Sequence, residues 1–202
     1  MYSQGQEESI ILKEISRLGI TSGRFIDIGA YDGQKFSNVA RLVEMKWSGV
    51  MVEPSPSVFP KLMSNRKEPA VELVQALVVP SVLVEQSGLY SFWDASGDGT
   101  STTEIENKRK WSQAGSKFRS IHVTGVTLSQ IAEKFSGPFD FINIDTEGTS
   151  NLLAAEIPQS WKPQILCVEH DGKEENISKS VRLRLGLKPV WRDPNNIILA
   201  AA

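Results

Sequence analysis

Apolar residues along the chain come in short runs separated by Gly, Pro, Asp, Asn and Ser. The runs RFIDIG (24–29), GVMVEP (49–54), VELVQALVV (71–79), FDFINID (139–145), QILCVEH (164–170) and NIILAA (196–201) have the length and residue content of strands. Helical spacing lies between most of them: Phe36, Val39, Ala40 and Val43 after the first run, Val58 and Leu62 after the second. Strands alternating with helices predict βαβ units, hence a mostly parallel sheet covered on both faces and joined by right-handed crossovers. Ile10, Ile11, Ile15 and Leu18 predict an amphipathic helix within residues 1–20. GLKPVW and NIILAA, set around the turn-like RDPN, predict a closing antiparallel hairpin.

One segment breaks the rhythm. Residues 94–119, DASGDGTSTTEIENKRKWSQAGSKFR, are rich in Gly, Ser, Thr and charge and show little apolar periodicity. A loop this long inside a compact domain is either a mobile insertion or a lid over a site. Its Lys108, Arg109 and Lys110 read as a solvated basic run.

Bulk composition narrows the class. At 202 residues and 40% hydrophobic content, a single domain over 1–202 is expected. A net charge of -2 provides no field to concentrate nucleic acid or an anionic membrane, and neither is expected as a partner. The polar opening MYSQGQEESI lacks the pattern of a signal peptide, so a cytoplasmic location is expected. Cys167, the one cysteine, sits in the apolar run ILCV and reads as a buried inert thiol. His122 and His170 are too far apart for a zinc ligand spacing, and no metal is expected.

The chemistry concentrates in two stretches. FIDIGAYDG (25–33) runs a strand into a glycine turn but sets Asp27 and Asp32 beside Gly29 and Gly33. Fixed negative charge there opposes a pyrophosphate, and the three-glycine pattern of NAD sites is missing. Glu53 ends the next strand, where a carboxylate can accept hydrogen bonds from a ribose diol. A nucleoside that is cationic and free of phosphate meets both conditions, and S-adenosylmethionine is such a molecule. In the second stretch, FDFINIDTEG (139–148), an apolar strand delivers Asp145 and Glu147 at its carboxyl end, the edge where open α/β sheets bind ligands. Thr149 reads as the cap of a helix beginning near Ser150. His170, after ILCVE, has a near-neutral reference pKa and is the favoured base, with Asp145 and Glu147 as the other catalytic candidates.

SQGQEE (3–8), FIDIGAYDGQKFSNV (25–39), GVMVEPSPSVFPKL (49–62), TLSQI (127–131), FDFINIDTEG (139–148) and ILCVEHDG (165–172) together resemble the FkbM family of S-adenosylmethionine-dependent methyltransferases. The resemblance implies a Rossmann-like methyltransferase fold, with a seven-stranded sheet whose last strand is antiparallel, and methyl transfer usually to oxygen. It implies that Asp27, Gly29 and Gly33 hold the methionine part of the cofactor, with Asp145 beside it. Glu53 would hold the ribose, and Pro54, Ser55, Ala76 and Leu77 the adenine side. Gln4 and Gln6 would fold the N-terminus over the site. The acceptor would be a small molecule bearing a hydroxyl, on a sugar or another metabolite. The alternatives are a catalytically silent nucleoside-binding module and an NAD-dependent oxidoreductase.

Overall fold

The computed structural model describes residues 1–97 and 99–202. Its first half runs α1 (Glu7–Arg17), β1 (Arg24–Ile28), α2 (Ala40–Glu44), β2 (Ser48–Val52), α3 (Phe59–Asn65), β3 (Val71–Val74), β4 (Leu77–Val78) and β5 (Leu89–Asp94). There follow α4 (Ile105–Gln113), β6 (Arg119–Val126), α5 (Leu128–Lys134), β7 (Phe141–Ile144) and α6 (Ser150–Glu156). The chain closes with β8 (Ile165–Glu169), α7 (Glu174–Leu185), β9 (Lys188–Arg192) and β10 (Asn196–Ala200).

Seven strands form one sheet in the order β3-β2-β1-β7-β8-β10-β9. β1, β2, β3, β7 and β8 pair in parallel, whereas β10 runs antiparallel to both β8 and β9. The expected fold is therefore present, closing hairpin included.

Alternation along each central strand divides the core into two layers. Ile26, Ile28, Val50, Ile142, Ile144, Leu166 and Val168 face one layer with Leu153 of α6 and Ile177 and Val181 of α7. Phe25, Met51, Phe141, Ile165 and Cys167 face the other, with Ile11 and Ile15 of α1, Leu42 and Val43 of α2, and Leu62 of α3. Burial on both faces is why these strands are near-continuous apolar runs. Two helix ends follow their sequences directly. Thr127 and Gln130 of TLSQ form a reciprocal capping box at the start of α5, and Gly186 at φ 75° ends α7 in the left-handed conformation.

Three expectations are corrected. VELVQALVV is not one strand: β3 pairs with β2, then the chain leaves the sheet and β4 pairs with β6 in a separate three-stranded sheet, order β4-β6-β5. Phe36 is not helical. It has φ 59° and is exposed, so α2 begins only at Ala40. Segment 94–119 is not irregular throughout, since it holds α4 and the first residue of β6. The strands flanking it, β5 and β6, pair antiparallel and bury Tyr90, Phe92 and Val123 against Leu77 and Val79.

Candidate active site

The parallel strands leave β1 toward β2 and β3 on one side and β7 and β8 on the other. Such a reversal opens a crevice at the carboxyl ends of β1 and β7. A cleft of about 540 Å³ occupies it.

Its floor is built by the loops after β1, β2, β7 and β8. At Gly29, φ is 85°, and a Cβ there would lie 1.7 Å from the carbonyl oxygen of Asp145, so the β1 and β7 loops meet only because no side chain intervenes. Tyr31, Glu147 and Asp171, which follow β1, β7 and β8, all take positive φ without being glycine. Each such residue costs roughly 1–2 kcal/mol, and strain of this kind gathers at functional sites.

The carboxylates are the chemical content of the cleft. Glu53 accepts from the Tyr31 N–H at 2.9 Å and the Ser55 N–H at 2.8 Å, while Asp27 accepts from Asn143 Nδ2 at 2.8 Å. Burial lifts both carboxyls to about 7 against these hydrogen bonds. Farther along, oxygens of Asp145, Glu147 and Glu169 lie within 4.8 Å of one another. Asp145 has ample exposed area, but that area faces the cleft, where surrounding protein strips away water and raises its pKa. Burial and mutual repulsion raise Glu147 and Glu169 too, Glu169 furthest, and Glu169 shares a hydrogen bond with Asp145. Three carboxylates at this spacing repel unless protons or a cation lie between them.

The remaining wall comes from elsewhere in the chain. Ala76, Leu77, Val78 and Phe92 make an apolar side. Thr100, Ser101, Lys110 and Trp111 cover part of the cleft from segment 94–119, which hydrogen bonds hold against the cleft floor. The Tyr31 hydroxyl donates to the Gly97 carbonyl at 2.6 Å, Thr102 Oγ1 to the Glu147 carbonyl at 2.7 Å, and Trp111 Nε1 to Glu147 Oε2 at 3.1 Å.

Of the residues singled out in the sequence, Gln4, Asp27, Gly29, Glu53, Pro54, Ala76, Leu77, Asp145 and Glu147 line this cleft. Others stand elsewhere. Gly33 has its carbonyl held by Arg66 and packs beneath Leu62. Ser55 is buried with its hydroxyl on Asp94 Oδ1 at 2.6 Å. Gln6 is exposed at the start of α1. His170 is the main correction. Its Nδ1 accepts from the Gly172 N–H at 3.0 Å, so Nε2 carries the proton and donates to the Asp193 carbonyl at 2.9 Å. Both nitrogens thus clamp turns, and neither is available to a substrate. Thr149 likewise occupies the cap position of α6 without a capping hydrogen bond, its hydroxyl pairing with that of Thr146 at 3.0 Å.

Glu169, Asn143 and Trp111 were missed. Glu169 ends ILCVE just as Glu53 ends GVMVE, and that parallel was a usable signal. Trp111 sits in a polar stretch with no pattern to mark it.

A seven-stranded sheet in this order, its antiparallel strand second from the edge and its carboxylates at the crevice, has the architecture of a Rossmann-like methyltransferase. The chain matches the methyltransferase FkbM domain over residues 27–185 and belongs to that family of S-adenosylmethionine-dependent methyltransferases. No curated protein matches it in sequence. Among solved structures it is similar to the Methanococcus jannaschii fibrillarin pre-rRNA processing protein, at 11% identity and TM-score 0.48, over 90% of this chain and 67% of that one. Aeropyrum pernix fibrillarin with natively bound S-adenosyl-L-methionine gives 11% and 0.45, over 94% and 74%. The Burkholderia thailandensis 1,6-didemethyltoxoflavin-N1-methyltransferase, solved with S-adenosylhomocysteine, gives 11% and 0.46, over 97% and 77%.

The cleft suits the cofactor chemically. Asp27, Glu53 and Asp145 turn carboxyl groups to the cleft, and a cationic ligand bearing hydroxyl donors favours their ionised forms against the burial that raises their pKa values. Among the described residues, no helix is long and apolar enough to cross a membrane.

Proposed function

We propose that the protein methylates a hydroxyl group on a sugar or other small metabolite, with the cationic end of the cofactor at Asp27 and Asp145 and its ribose at Glu53. The observation that carries this reading is the carboxylate cluster Asp145, Glu147 and Glu169 in the cleft. An alcohol is a weak nucleophile until its proton leaves, and a carboxylate with raised proton affinity is suited to take it.

Bound S-adenosylmethionine supplies an electrophilic methyl group on a sulfonium. Asp27 and Asp145 attract that positive charge, and Glu53 has lone pairs left for ribose hydroxyls after its two backbone bonds. Glu147 takes the acceptor's proton. The hydrogen bond between Glu169 and Asp145 keeps one proton in that pair, which limits the negative charge crowding Glu147. Trp111 orients Glu147 through its indole N–H. No charge pattern in the cleft calls for a nucleic acid, and a small molecule is the proposed partner.

The test is incubation with S-adenosylmethionine and a panel of sugars and small alcohols, reading S-adenosylhomocysteine and the mass of the product. A base-stable methyl ether is expected. Methylation only at nitrogen or carboxyl groups, or cofactor binding without any product, overturns the assignment. In the same preparation, Glu53→Ala should weaken cofactor binding by about 1.5–3 kcal/mol, the usual worth of a hydrogen bond to a charged group. Wild-type binding should strengthen as pH rises through about 7, because Asp27 and Glu53 attract the ligand only when ionised. Stability of the free protein moves the other way. These carboxyls hold protons more tightly folded than unfolded, so their contribution is lost as pH rises from the ordinary carboxylate range through 7.

Segment 94–119 acts as a lid in this scheme. Trypsin has sites there at Lys108, Arg109, Lys110, Lys117 and Arg119. Cleavage should slow when cofactor and acceptor are both present, since closure removes backbone from the protease. Equal rates with and without ligands identify a fixed wall instead.

A further inference from the structure

Asp27, Asn143 and Cys167 stand side by side across the three central strands, in parallel register. They share the face of Phe25, Phe141 and Ile165, so a polar row crosses a layer that is otherwise apolar. All three are buried, at 2%, 5% and 0% exposure. Buried amides are costly unless their hydrogen bonds are made, and here they are made in one direction. Asn143 Nδ2 donates to Asp27 Oδ1 at 2.8 Å, and Asn143 Oδ1 accepts from Asn38 Nδ2 at 2.9 Å. Asn38 Oδ1 in turn accepts from the Ser3 hydroxyl at 2.7 Å. An ionised carboxylate only accepts, so Asp27 sets the orientation of both amides.

The far end of this chain belongs to the six residues before α1. Tyr2 N–H donates to Glu8 at 2.6 Å, Gly5 N–H donates to Glu7 at 2.8 Å, and Gln4 lines the cleft. These residues form an N-terminal strap that reaches Asn38 through Ser3 and the cleft through Gln4.

We propose that Asn38 and Asn143 are positioning residues, a one-way hydrogen-bond relay that holds Asp27 toward the cofactor and couples cofactor binding to closure of the N-terminal strap. The inference rests on Asp27 being the carboxylate that meets the cofactor's cationic end. With Oδ1 taken by Asn143, Oδ2 is the oxygen left to the ligand. A bound cation favours the ionised carboxylate, which strengthens the Asn143 bond and polarises the amides behind it, so Ser3 is held more firmly. The coupling is reciprocal: a strap in place stabilises the donor geometry at Asp27.

The charged surroundings of Asp27 give the relay a measurable signature. Asp145 in the β7 loop and Glu53 at the end of β2 repel its charge, and Arg66 at the end of α3 favours it. Cys167, whose Sγ lies 3.6 Å from Asn38 Nδ2, stays a neutral thiol because burial pushes its pKa up. Asn143 is the hydrogen-bond partner that favours ionisation of Asp27, so its loss moves the titration of Asp27 upward.

The test is calorimetric titration with S-adenosylmethionine from about pH 6 to 9, together with amide hydrogen exchange of residues 2–6 with and without cofactor. Asn143→Leu should weaken binding at neutral pH by about tenfold or more, as expected for a lost bond to a charged group. It should also move the pH of half-maximal affinity upward, a shift that a packing role alone does not cause. An unchanged midpoint overturns the relay. If Asn143→Leu does not fold, Asn38→Ala should produce the same shift to a smaller degree, and its unchanged midpoint counts equally against the proposal. Ser3→Ala should abolish the cofactor-induced slowing of exchange in residues 2–6, and retention of that slowing overturns the coupling. Asp27→Asn separates the two levels. Wild-type binding in that variant removes the underlying site assignment, whereas lost binding beside a silent Asn143→Leu removes the relay alone.

Discussion

Glu147→Gln is expected to slow single-turnover methyl transfer to a hydroxyl acceptor by about 10²–10⁴, the range for loss of a general base. Cofactor affinity should stay within about threefold of wild type, because the change removes a proton acceptor and not uniform binding. The substitution is a clean one. A glutamine keeps the side-chain shape, and its carbonyl oxygen can still accept from Trp111 Nε1, which donates at 3.1 Å to the native carboxylate. The Thr102 contact is to the Glu147 main chain and is untouched. What changes is the ability to take a proton. Burial and the nearby Asp145 raise the proton affinity of Glu147, and a base acts only when deprotonated. The wild-type rate should therefore rise with pH through a range above that of an ordinary carboxylate, and Glu147→Gln should lose that rise. A variant that keeps both its rate and its pH dependence moves the base to Asp145.

Gly29→Ala should lower folding stability by about 3 kcal/mol, from two costs of comparable size: a left-handed non-glycine residue and overpacking against a fixed atom. The atom is the Asp145 carbonyl oxygen, 1.7 Å from where the Cβ would stand, and main chain cannot swing aside as a side chain can. For a domain of this size the loss corresponds to about 6–12 °C in Tm. Gly186→Ala is the control. It has φ 75° with nothing within 4 Å of the added carbon, so it carries only the backbone cost. Thermal or urea unfolding of the two variants tests the contact, and equal losses would show that the β1 and β7 loops do not press together. Cofactor affinity should fall only in Gly29→Ala, because separating those loops moves Asp27 away from Asp145.

Much of this arrangement was legible because the central strands are buried on both faces. RFIDI, SGVMV, FINI and ILCVE leave no ambiguity of period, and the acids at or just beyond their ends identify the crevice. Legibility failed where tertiary contacts decide the local structure. β5 and β6 alternate tyrosine, phenylalanine and valine with serine, histidine and threonine, and their pairing joins residues about thirty positions apart, so neither strand is distinct alone. Phe36 had the right spacing for α2, but the chain there turns left-handed, with Asn65 holding the Asp32 carbonyl and Arg66 the Gly33 carbonyl. His170 misled for a related reason. Residue type and strand-end position are visible in sequence, but the Asp193 carbonyl and Gly172 N–H that occupy its ring are not.

The left-handed residues Tyr31, Glu147 and Asp171 carry a lesson for protein engineering. Selection for heat tolerance alone would favour glycine or asparagine at these positions, where relief of the backbone is nearest to hand. The same exchanges would discard the hydroxyl of Tyr31 and the carboxylate of Glu147, two side chains that bind segment 94–119 to the floor of the cleft. Thermal robustness and turnover therefore compete at the same few residues.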